Sequence, residues 1–290
     1  SNNGAISQTG ALAVTGSSAI DAGSGTITLT NSGNTFTGAV SLSNSGANNV
    51  SIRDTNGLIL GNVNVGTGTL GVQAVGITQA AGTAIVQSAA AGAANFNSGG
   101  GVLTLANTGN DFTGTVNLTG GATQITDANA LTLGTLATGA LTATSTVALK
   151  LGCGTVGGNL AATSKNGSIS QPGALAVTGS STINAGSGTI MLTDVGNNFA
   201  GTVNLTGGTT QVTDANALTL GTLGTGTLTA VSHGALSLGS GTVTGNLIAT
   251  SNNGAIGQAG ALHVTGSSTI NAGSAAIALT NANNDFGSAV

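Results

Sequence analysis

Ten of the 290 residues carry a formal charge, and seven of these are aspartates. Together with two histidines and one cysteine, the aspartates are the main groups here suited to acid–base, nucleophilic or metal chemistry. Asp54, Asp127 and Asp214 recur at equivalent places, in the contexts RDTN, TDAN and TDAN, which suggests paired carboxylates. Asp127 and Asp214, however, are one full repeat apart. In a stacked chain that is four layers, roughly 19 Å. Glycoside hydrolases need carboxyls ~5–9.5 Å apart, and a shared cation needs oxygens within ~2.6 Å of it. The expected role is therefore a turn in which each carboxylate accepts from its own backbone. His233 and His263 fall on different coils, and His263 stands where ALAV has Ala176, so both read as surface residues. Cys153 occupies in LGCG the place of Ser240 in LGSG and reads as a turn residue, with a reactive thiol as the alternative. The calcium nonapeptide is absent, and G-x-G strings are too frequent among 51 glycines to mark a phosphate loop. No catalytic, metal or cofactor site is expected.

The elements that hold these residues come from an internal repeat. Lys165–Val203 recurs at Asn252–Val290 and again at Asn3–Val40. The most regular markers are Asn34 with Phe36, Asn110 with Phe112, Asn197 with Phe199 and Asn284 with Phe286; the phenylalanines are 76, 87 and 87 residues apart. The 87-residue repeat divides into shorter units, mostly of 19 to 20 residues. The first interval is short because Leu60 to Ile77 spans 17 residues where Leu220 to Ile256 spans 36, so one unit is missing. A stack of equivalent layers permits such a loss, whereas a closed core does not.

Each unit has three runs in which apolar residues alternate with Ala, Thr and Ser, such as Leu175 and Val177, Ile183, then Ile190 and Leu192. A period of two indicates strands, and Thr-Gly, Asn-Ala-Gly and Asp-Ala-Asn supply turns between them. Three strands in about 19–21 residues make one triangular coil of a parallel β-solenoid. Hairpins would give no reason for residues to match 19 to 20 positions apart. Twelve full coils and two partial ones, ~4.8 Å each, predict one continuous all-β rod over 1–290, roughly 60–65 Å long.

Composition removes further classes. Net charge is −4 with three Lys or Arg, too few cations for a nucleic-acid surface. No run of eighteen apolar residues is present for a membrane-spanning helix, and a lone cysteine forms no disulfide framework. Three features remain. The excursions at residues 31–38, 107–114, 194–201 and 281–288 predict phenylalanines plugging a corner of the core, with recognition loops as the alternative. Outward Thr, as in Thr26–Thr30, resembles an ice-binding face but fits ordinary exposed strands better. Both termini fall inside the repeat, so the expectation is a window of a longer polypeptide or a subunit that self-associates end to end.

The 19- to 20-residue unit, the GALAVTG and STINAG runs, and NALTLGT at Asn129–Thr135 and Asn216–Thr222 resemble the haemagglutination-activity repeats of the filamentous haemagglutinin family. These are exoproteins of Gram-negative bacteria secreted by the two-partner route. The resemblance implies a right-handed parallel β-helix serving as the shaft of a secreted or surface-attached adhesin or filament, active in adhesion, aggregation or biofilm. Its partners would be further copies or chain segments and surface glycans or proteins, met through Asn, Thr and Ser in multivalent contact. A polysaccharide-binding or polysaccharide-active β-helix and an ice-binding solenoid are the alternatives.

Overall fold

Thr, Val, Ile and Leu suit a pleated, half-buried chain, and their alternation with small polar residues puts one apolar set on one face. In the computed structural model, which describes residues 1–290, these runs become 36 strands of two to eight residues, with no helix. The chain divides into two compact units, Ser1–Ser145 and Thr146–Val290. Each is a parallel β-solenoid with three strands per coil. In the second unit, for example, Ser181–Asn184, Ile190–Leu192 and Asn198–Phe199 make one circuit, after which Val203–Gly207 lies on Ser181–Asn184.

Parallel register carries the apolar residues up each unit in columns. In the first unit Ile27, Val50, Leu70, Ala94 and Val116 stand in one line, and Leu58, Ile77, Leu103, Thr123 and Leu141 in another. The second unit has Ile169, Ile190, Thr210, Leu228 and Leu247. All are at most 2% exposed, and each fully buried aliphatic side chain contributes about 1.5–3 kcal/mol. Register also fixes the coil length, which runs from 17 residues between Val203 and Leu220 to 26 between Ile77 and Leu103. The turns absorb the difference, because only the strands must superpose.

The missing unit is visible as a missing layer. In the second unit Leu218 pairs with Leu236, which pairs with Ile256. In the first unit Leu58, the counterpart of Leu218, pairs directly with Ile77. The LGT and LGN motifs mark bulges: register shifts by one residue between Val40 and Leu42, Val116 and Leu118, and Val203 and Leu205. At Gly61, Gly134 and Gly221 a Cβ would collide with Ser41, Asn117 and Asn204 of the neighbouring coil. A third recurrent corner places Asn3, Asn166 and Asn253 at φ of 63, 61 and 58°. The short polar side chain of asparagine tolerates that conformation, and each Oδ1 accepts the backbone N–H of Ser24, Ser187 or Ser274 one coil on.

Candidate functional site

The excursions before Phe36, Phe112 and Phe199 begin with a turn that leads an asparagine and a phenylalanine inward. Asn34, Asn110 and Asn197 are fully buried, and the three phenylalanines are 1–3% exposed. Asn284 and Phe286 are only half-buried. A buried primary amide must find partners for two N–H donors and a carbonyl, and the next coils supply them. Asn197 Oδ1 accepts from Leu175 N (2.9 Å) and Gln171 Nε2 (2.6 Å). Its Nδ2 donates to Gln171 Oε1 (3.0 Å), Leu192 O and Thr213 O (both 3.3 Å). Asn34 does the same with Leu12 N, Gln8, Leu29 O and Arg53 O, so one side chain ties three successive coils.

The glutamines are the residues that sequence reasoning missed. Gln8, Gln171 and Gln258 sit 26 residues before Asn34, Asn197 and Asn284, and Gln79 sits 31 before Asn110; each forms a reciprocal two-bond amide pair. The detectable trace was the recurrent I-x-Q-x-G or I-T-Q string at residues 6–10, 77–79, 169–173 and 256–260.

Asp54, Asp127 and Asp214 complete the arrangement from the coil beyond. One oxygen of each closes the expected turn, accepting from the N–H two residues on: Asn56 (2.7 Å), Asn129 (2.6 Å) and Asn216 (2.7 Å). The second oxygen accepts the N–H of Phe36, Phe112 or Phe199, at 2.7 Å each. The carboxylates therefore hold the phenylalanine backbone of an adjacent coil as well as their own turn. Phe112 also meets Phe96 edge-on, with ring centroids 6.0 Å apart at 85°; Phe96 lies in the inserted stretch of the first interval.

Burial pushes the Asp127 and Asp214 carboxyls above their ordinary 3.8, against the opposing pull of two backbone N–H groups at each. Asp111 adds repulsion at Asp127, whereas His233 lowers Asp214. A carboxyl that titrates higher in the folded chain binds its proton more tightly when folded. Its contribution favours the fold below the ordinary value and is withdrawn as pH rises through the raised one. Urea midpoints are thus expected to fall across the window that opens at about 3.8, and Asp127→Asn with Asp214→Asn to flatten that fall. An unchanged pH slope in the double variant would refute this.

The remaining candidates stay apart. Cys153 is exposed and free, and His233 is exposed. His263 Nδ1 contacts Asp285 Oδ2 at 2.9 Å, across neighbouring strands and largely in solvent, where such a pair contributes about 0–1 kcal/mol. No three His, Cys or Asp side chains gather as a metal site. The repeated polar residues, though in register, spend their hydrogen-bonding groups on backbone and on one another.

A family profile described as repeats of unknown function (DUF5649) matches residues 1–43, 47–119, 138–206 and 225–290. No curated protein and no solved structure matches the chain.

Proposed function

We propose, on the premise that this chain belongs to the DUF5649 family of repeats of unknown function, that it is a structural and interaction protein. Its role is that of a shaft in a secreted or cell-surface bacterial adhesin or extracellular filament, built from filamentous-haemagglutinin-like repeats. One observation carries this reading. The residues that recur from repeat to repeat, the Gln–Asn pairs and the Asn–Phe–Asp sets, all bind one coil to the next. What the repeat preserves is thus the means of stacking, which lets a chain grow by adding layers and expose long polar faces. Weak contacts repeated along such faces gain strength through multivalency.

The test is localisation with function. Antibody against this chain should label material outside the cell envelope of the producing bacterium, and loss of the gene should reduce attachment or aggregation. Label confined to the cytoplasm would overturn the reading.

A further inference from the structure

A repeat that serves only as scaffold keeps similar outward side chains in every copy. Departures that cluster on neighbouring coils mark a surface put to another use. One cluster lies on an exposed face of the unit Ser1–Ser145. Arg53 stands where the other copies have Thr126 and Thr213, and Gly71 where they have Thr142 and Thr229. Gln73 replaces Thr144 and Val231, and Asn95 replaces Thr182. These positions are scattered over some forty residues of sequence, yet parallel register sets them side by side. Ser51, Gly71 and Asn95 form one outward row, and Arg53, Gln73 and Asn97 the next.

Gly71 interrupts its row of side chains, and the gap is a groove of about 340 Å³ bordered by Thr30, Ser51, Arg53, Gln73, Asn95 and Asn97. Arg53 is the chain's one arginine. Its neighbour Asp54 turns its carboxylate inward, onto Phe36 N and Asn56 N, so the guanidinium has no carboxylate to balance it. Asn95 Oδ1 already accepts from Asn117 (2.8 Å) and Asn97 Oδ1 from Gly99 N (2.9 Å). Both amides therefore present N–H groups outward, beside the five donors of the guanidinium. A groove this rich in donors suits a ligand rich in acceptors, with a carboxylate for the planar arginine fork. Both edges of its strands are paired with neighbouring coils, which denies an extended peptide the backbone hydrogen bonds of strand addition. The overall charge of −4 disfavours diffuse binding of anions, so recognition has to be local.

We propose that this groove binds a carboxylate-bearing saccharide, a uronate unit of an acidic polysaccharide. Arg53 takes the carboxylate, and Gln73, Asn95 and Asn97 take the ring hydroxyls. This gives the interaction role a ligand class and rests on that part of the proposed function.

Titration calorimetry of the full chain with oligomers of galacturonate, glucuronate and guluronate, beside their neutral methyl esters, tests it. At least one acid oligomer should bind, and its ester at least tenfold more weakly. Arg53→Gln should weaken the acid form at least tenfold. Gly71→Thr should abolish binding by filling the groove. A Cβ at Gly71 meets nothing nearer than Ser51 Oγ at 3.4 Å, so that variant should keep the circular dichroism and thermal midpoint of the parent. Absence of binding by every acid oligomer at millimolar concentration, equal binding of acid and ester, or wild-type affinity in either variant overturns the proposal. Extracellular localisation is measured separately, so a failure here is distinguishable from a failure of the shaft reading.

Discussion

Asn197→Ala is expected to lower the free energy of unfolding by about 4 kcal/mol. The substitution removes the side-chain partner of Leu175 N, Leu192 O and Thr213 O, all in buried strands, and two bonds of the half-buried Gln171 amide, which keeps its bond to Gly173 O. A buried polar group left without a partner costs roughly 1–3 kcal/mol, so partial relaxation still leaves an effect in the range reserved for broken buried networks. Asn284→Ala is the internal control, because that amide makes the same bonds to Gln258, Leu262 N and Leu279 O but is half-buried. It should cost less than half as much. Coils interact mainly with their neighbours, so the damage should begin locally. Hydrogen exchange at Leu175 N is the sensitive reporter, and exchange there no faster than in the parent would refute the role of Asn197 as a tie between coils.

Phe112→Ala is the second large effect, expected at about 3–5 kcal/mol from lost burial plus the cavity left behind. Phe112 is 1% exposed and packs edge-on against Phe96, which is itself 2% exposed. That edge contact adds about 0.5–1.5 kcal/mol beyond area, so Phe112→Ala should cost more than Phe199→Ala, which lacks an aromatic partner. Urea titrations of the two variants give the comparison directly. Equal losses would show that the Phe96 contact contributes nothing. The backbone bond from Phe112 N to Asp127 Oδ2 survives in the alanine variant, so the difference isolates the ring.

Much of the architecture is legible in the sequence itself. Alternation at period two in runs such as Leu175–Val177 and Ile190–Leu192 specifies strands whatever surrounds them, because successive side chains must point to opposite faces. Self-similarity at 87 residues, with a whole unit missing between Leu60 and Ile77, required equivalent layers. The turn made by Asp54, Asp127 and Asp214 with the residue two positions on was also readable, since donor and acceptor are sequence neighbours.

Register decided the rest. Gln8 meets Asn34 across 26 residues and Asp54 reaches Phe36 across 18, distances at which sequence spacing does not say which side chains share a rung. The bulges at Gly61, Gly134 and Gly221 shift pairing by one residue, and a one-residue shift moves every side chain to the other face. Arg53, Gly71, Gln73 and Asn95 are unremarkable apart and become a groove only when three coils are superposed. Local chemistry was enough to determine what each segment would become. Which segments lie against one another depends on the backbone pairing of whole coils, and the contacts that tie the stack and open its surface exist only after that pairing is made.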